Sequence, residues 1–199
     1  MSPNRIMRML QAAIVADAFG VPYEFKQRGT YTVAPEMVGG GFWEQAPGTW
    51  SDDTALTLAL LDHLTHADSY AKLMDRLTAY METGAYTPTG QLFDIGNACA
   101  KAIRTYVIEQ AEPTMCGDPS EFANGNGALM CLAPLAVALY AEPRFVTRAK
   151  SYRAYTQMTH RHPRAVLGSV IYLETLWQLL HGKSLTQALM AVNFSLVAL

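Results

Sequence analysis

Apolar residues recur at intervals of three and four along most of this chain, the spacing that gathers side chains on one face of an α-helix. Ile6, Met9, Leu10, Ala13, Ile14 and Asp17 follow it and predict an amphipathic helix of about three turns, which Gly20 and Pro22 end. From Thr54 to about His66 the sequence is apolar almost all round, as for a helix in the middle of a bundle. A helix over roughly Tyr70 to Thr83 follows. Ile95, Ala98, Cys99, Ala102, Ile103, Tyr106 and Val107 then give a further stripe, with Asp94 placed to cap it. Ala128 to Pro134 reads as a helix that Pro134 should kink. Pro143 to Met158 is expected to turn Phe145, Val146, Ala149, Tyr152 and Tyr155 inward. Pro163 suits the first turn of a helix running to about His181. Ser184-Leu185-Thr186-Gln187 is a capping box for a last helix carrying Leu185, Ala188, Leu189, Val192, Leu196 and Leu199.

Between these stripes lies one long stretch without periodicity, residues 26 to 50, rich in Gly and Pro and including Gly39-Gly40-Gly41. A short strand is conceivable only at Tyr31-Thr32-Val33. About seven or eight helices and almost no strand predict a single all-α domain over residues 1–199. Length and composition agree, since 199 residues of which 50% are hydrophobic are enough for a sizeable core.

Charge narrows the partners. Only 16% of residues are charged and the net charge is −2, so no basic surface draws in nucleic acid or an anionic membrane. The N-terminus lacks an uninterrupted apolar run, and no signal peptide or membrane span is read. Cys99, Cys116 and Cys131 are odd in number and form no CxxC pair, which argues for a reducing, cytoplasmic setting.

Candidate chemistry gathers at Gly48-Thr49-Trp50-Ser51-Asp52-Asp53-Thr54, where a helix should begin. Ser51 can cap that helix with the two Asp side chains against the positive end of its dipole. Ser51, Asp52 and Asp53 can equally be hard oxygen ligands for Mg²⁺ or a similar cation. Asp17 extends an apolar face, so its carboxylate needs a donor or a cation. Asn124-Gly125-Asn126-Gly127 is either a turn or a nest of backbone N–H groups for an anion or hydroxyl. His160 and His162 lack the further ligands a zinc site needs, so His160 is expected to hydrogen-bond near the site and His162 to cap a helix.

Five segments then occur in a telling order: Ile14 to Glu24, Ser51-Asp52-Asp53-Thr54, Phe93-Asp94-Ile95-Gly96, Asn124 to Met130, and Thr159-His160-Arg161-His162-Pro163. Together they resemble the ADP-ribosylglycohydrolases, of the dinitrogenase reductase-activating glycohydrolase type, from about residue 10 to 195. The resemblance implies an orthogonal all-α fold with two metal ions, Mg²⁺ or Mn²⁺, and removal of ADP-ribose from modified protein side chains, often arginine. It places Ser51, Asp52 and Asp53 in the first metal motif, Ser standing for the usual Thr, with Glu24 beside the metals and Asp17 on the first helix. Asp52, Asp53 and Glu24 would carry catalysis; Gly125, Asn126, Gly127, Asp94, Gly96 and His160 would contact substrate.

The sequence departs from the family pattern at Cys131, where Arg is usual, and after Asp118, beyond which no Asp occurs to supply a second metal motif. The chain is therefore expected to be C-terminally shortened and to hold two ions, one or none. Catalytic turnover, ADP-ribose binding without turnover, and a plain helical interaction body stand as the alternatives. Leu189, Val192, Leu196 and Leu199 are expected to expose apolar surface and to favour a homo-oligomer through the last helix.

Overall fold

The computed structural model describes residues 3–197 and is built from helices alone. In order these are α1 (Pro3–Gly20), α2 (Asp52–His66), α3 (Tyr70–Thr83), α4 (Asn97–Glu109), α5 (Ala128–Cys131), α6 (Pro134–Ala138), α7 (Phe145–Gln157), α8 (Pro163–Leu180) and α9 (Leu185–Val197). Two 3₁₀ turns, Val21–Tyr23 and Pro113–Met115, complete the set. The expected all-α class holds. Among the described residues the only β contacts are two isolated bridges, Gly40 with Gln45 and Asp118 with His160. Tyr31, Thr32 and Val33 form no strand, because no second segment lies alongside to complete a ladder.

Two helices organise the rest. The apolar helix α2 touches α1, α3, α5 and α6, and α8 touches α5, α6, α7 and α9. Ala55, Leu56, Ala59 and Leu60 of α2 are buried together with Leu73, Met74 and Leu77 of α3 and Leu173 of α8. This is the pattern a helix surrounded by others requires, since any charged residue in its middle would need a partner.

Local chemistry explains most helix ends. Gly84 closes α3 in the left-handed region at φ 69°, its N–H reaching back to the carbonyls of Ala79 and Tyr80. His162 Nδ1 accepts from the Arg164 N–H at the start of α8. Ser184 and Gln187 exchange the two bonds of the expected capping box. Pro134, however, does not kink a helix: α5 stops at Cys131, and Pro134 opens α6, where its missing N–H costs nothing.

Several inward assignments need correction. Val107 and Val146 are exposed, because the stripes on α4 and α7 are narrower than the runs that suggested them. On α1, Ala13 is exposed and Ile6, Met9, Leu10 and Ile14 are only half-buried. On α9 the expected exposure of Leu189 holds, with Leu185, Met190 and Phe194 also outward. Val192, expected to be exposed, is buried because its side of α9 packs on α8. The side chain of Leu196, and Leu199 altogether, lie outside the described residues.

One core feature carries no sequence signal. Arg148 of α7 and Glu174 of α8 pair at the centre of the bundle, Nε to Oε2 at 2.9 Å and Nη2 to Oε1 at 2.6 Å. Arg148 Nη1 donates to the Glu142 carbonyl, and Gln178 donates to Glu174 Oε1. The guanidinium lies 3.7 Å from the Trp177 ring centre.

Candidate functional site

The site is assembled where the start of α2 meets the end of α1. Ser51 is extended, and its Oγ accepts from the Asp53 N–H at 3.4 Å, so it caps α2. The same hydroxyl donates to Asp17 Oδ1 at 2.7 Å. Asp17 also accepts from the backbone N–H groups of Ser51 and Thr54. Its expected partner is thus a set of donors, and α1 is anchored to the α2 N-terminus through one carboxylate. Asp52 is buried, and its Oδ2 accepts from the Gly96 N–H at 2.9 Å, tying α2 to the start of α4.

Gly96, and not Asp94, is the N-cap of α4, with no side-chain cap bond. Asp94 instead offers its backbone carbonyl to the buried Tyr80 hydroxyl. Glu24, just past the first 3₁₀ turn, accepts from Trp43 Nε1 at 2.6 Å through Oε2. Gly41 makes that approach feasible: at φ 76°, an added Cβ would sit 2.5 Å from the Pro22 carbonyl oxygen. Gly41→Ala should therefore cost more than about 1 kcal/mol of stability and loosen Trp43 from Glu24. Urea midpoints and tryptophan fluorescence would register both effects.

Electrostatics follow from this crowding. Among the described residues, none of Asp17, Glu24, Asp52, Asp53 and Asp94 takes part in an ion pair. Burial first, and then the neighbouring carboxylates, push Asp53 and Asp94 up to about 7. Glu24 and Asp52 are also raised, mainly by burial, against the lowering effect of their bonds from Trp43 and Gly96.

An acid raised in the folded state holds its proton longer there than in the unfolded chain. The stability it lends is complete below the unfolded value of 3.8 and is lost as pH rises through about 7. Asp94→Asn cannot ionise, so it should match the parent near pH 4 and exceed it at pH 8. Allowing for the partial exposure of Asp94, the gain is about 1 kcal/mol, or roughly 2–4 °C in Tm. Thermal melts across that range measure it.

Across from the acids lies the glycine-rich turn. Gly125 and Asn126 are exposed, and Gly127 leads into α5. His160 is buried, with Nδ1 2.9 Å from the Thr159 hydroxyl oxygen. Burial lowers its basicity, so the ring is neutral at pH 7. Its Nε2 faces Gly127 so closely that a Cβ there would lie 3.0 Å away. Two open crevices meet at Asp53 and Met130. One, of about 360 Å³, runs past Asp17, Gly20 and Glu24; the other, of about 330 Å³, runs past Asn126, Gly127 and Tyr172.

The structure thus gathers Ser51, Asp52, Asp53, Asp94 and Gly96 around the start of α2, with Glu24 nearby. Of these only Asp53 and Glu24 line the crevices, with Asn126 and Gly127 across from Asp53 and His160 behind the turn. Gly125 lines a separate small cavity with Arg164 and Ser169. Trp43 and Tyr172 escaped sequence reasoning, and Met130 was read as part of the glycine-rich motif but not as a residue of the site. Trp43 sits in an aperiodic loop, and the other two are ordinary apolar members of helical stripes. Oxygen-rich and repelling one another, these acids have the chemistry of a donor set for a hard divalent cation. Among the described residues, no three His, Cys, Asp or Glu side chains stand together as a formed metal site. Asp17 and Asp52 accept from backbone N–H groups, and Glu24 Oε2 accepts from Trp43 Nε1. Of the acids lining the open crevice, Asp17, Glu24 and Asp53, only Asp53 therefore has no donor on its carboxylate among the described residues.

The sequence model of the ADP-ribosylglycohydrolase family matches residues 2–197, and the chain belongs to that family. It is similar to the ADP-ribosylarginine hydrolase Tri1 of Pseudomonas putida (strain GB-1), 34% identical over 136 residues, covering 67% of this chain and 36% of that protein. The ADP-ribosyl-(dinitrogen reductase) glycohydrolase of Rhodospirillum rubrum is 31% identical over 164 residues, 80% of this chain and 52% of its own length. A solved structure described as an ADP-ribosylglycohydrolase-related protein complex superposes with a TM-score of 0.73 at 30% identity, over 92% of this chain and 58% of that one. The chain therefore spans between about a third and somewhat over half of the proteins it matches. No described helix is long and apolar enough to cross a membrane.

Proposed function

We propose that the chain hydrolyses the glycosidic bond between ADP-ribose and a modified protein side chain, arginine being the first candidate. The observation that carries this reading is the position of Asp53: held by a capped helix start, poised near pH 7, and shared by the two crevices. Breaking a ribosyl bond builds positive charge on the anomeric carbon, which unpaired carboxylates favour. An acid that titrates near the working pH also transfers protons well, here to or from a water beside the ribose.

The turn at Gly125-Asn126-Gly127 and the neutral His160 behind it would hold the rest of the ligand through hydrogen bonds. The names of the relatives, one acting on ADP-ribosylarginine and one on ADP-ribosyl-dinitrogen reductase, support that substrate class. A divalent cation, Mg²⁺ or Mn²⁺, would be held by Asp53 and Glu24 with Ser51 and Asp52 beside them. Its charge would offset the carboxylate repulsion and orient ribose hydroxyls.

Incubation with ADP-ribosyl-arginine and Mg²⁺ should release ADP-ribose, and chelation should stop the release. A second reading, an ADP-ribose binder without turnover, is favoured by the commitment of Asp17 and Asp52 to N–H donors. Tight ADP-ribose binding with no release at high protein concentration would select it. Neither binding nor release would refute both.

A further inference from the structure

Away from the acidic groove, α7 and α8 leave a concave cavity between them of about 410 Å³, larger than either crevice at Asp53. Its floor is Ala149, Val166 and Val170, all buried. Val146 and Leu167, each 50% exposed, form the walls. The rim is cationic: Lys150 and Arg153 stand one helical turn apart on α7, and Arg161 sits in the turn before α8. Arg161 is fixed there by its Nε bond to the Gly117 carbonyl at 2.9 Å. No carboxylate lines the cavity. None of these three cations is in an ion pair among the described residues, which holds for seven further Lys and Arg side chains as well; what sets the three apart is that they converge on one cavity.

We infer that this cavity binds a small anionic amphiphile, a carboxylate or phosphate head on an apolar body. The volume falls in the range of small-molecule clefts, and a concave shape suits such a ligand better than a flat protein face. Three cations converging on one cavity that no carboxylate lines favour an anionic head there. Arginine presents a planar fork that matches carboxylate and phosphate oxygens, and lysine adds a compact positive charge. The apolar floor and walls add a requirement that a bare ion does not meet, since their stabilisation comes from covering hydrophobic surface. Nothing here depends on what the acidic groove does.

Isothermal titration of the chain with decanoate and with decyl phosphate, both below micellar concentrations, tests this directly. Saturable one-to-one binding is expected from at least one of them, and their ranking separates a carboxylate ligand from a phosphate one. Decyltrimethylammonium and inorganic phosphate should bind at least about tenfold more weakly. Lys150→Glu with Arg153→Glu, both at exposed positions, should cost a similar factor while leaving the melting temperature in place. Leu167→Glu, on the wall, should do the same through the apolar side. No saturable binding, equal binding of the ammonium or of bare phosphate, or indifference to the paired reversals would each overturn the inference.

Discussion

Arg148→Met is expected to lower stability by about 3–5 kcal/mol, because it strands a buried carboxylate. Glu174 is 0% exposed and Arg148 2%, so neither charge can turn to water. The substitution removes the two-point ion pair, the bond to the Glu142 carbonyl and the stack on Trp177. Only Gln178 remains to satisfy Glu174. In a chain of this size such a loss lowers Tm by roughly 6–20 °C, readily seen by circular dichroism. The double change Arg148→Met with Glu174→Leu should recover most of it, since well-packed apolar side chains replace buried pairs at little net cost. A single substitution that cost under about 1 kcal/mol would mean that water reaches the pair.

The second large effect concerns turnover. Asp53→Asn is expected to reduce kcat for ADP-ribosyl-arginine by at least about 100-fold, with ADP-ribose still bound at the glycine-rich turn. The competent form is the carboxylate. Asp53 is pushed up to about 7 in the metal-free chain, and a cation held there lowers that value, so the parent's rate in Mg²⁺ should rise to its plateau at a pH below 7. The variant should lose that rise. In the same experiment, thermal melts should show Mg²⁺ stabilising the parent at pH 8 and failing to stabilise Asp53→Asn. A variant with near-parental kcat would remove Asp53 from the chemistry.

Much of the fold was legible because its signals are local. Helical stripes mark α1 and α4, the continuous apolar run marks α2, Pro163 opens α8, and the capping box opens α9 without help from distant residues. The strand expected at Tyr31-Thr32-Val33 failed for the opposite reason, since a strand exists only with a partner and the periodicity of one segment cannot supply it. Pairing of Arg148 with Glu174 was equally illegible, as nothing in either helix alone marks its charge as inward. At the site, Ser51, Asp52, Asp53 and Glu24 could be named from the order of motifs. Gly96 taking the cap that Asp94 promised could not, because the choice was decided by Asp52 reaching across from another helix. Trp43 was hidden by its place in a loop.

The contact of His160 with Gly127 has a practical consequence. The imidazole rests against Gly127, which has no side chain to stand between them, so a ligand that settles on this part of the turn should alter the ring's surroundings. With Nδ1 paired to Thr159 and the ring neutral, its remaining nitrogen senses little else. In ¹⁵N-labelled protein the His160 Nε2 resonance is thus an intrinsic gauge of occupancy. It reads ligand arrival at the turn without any probe having to be attached.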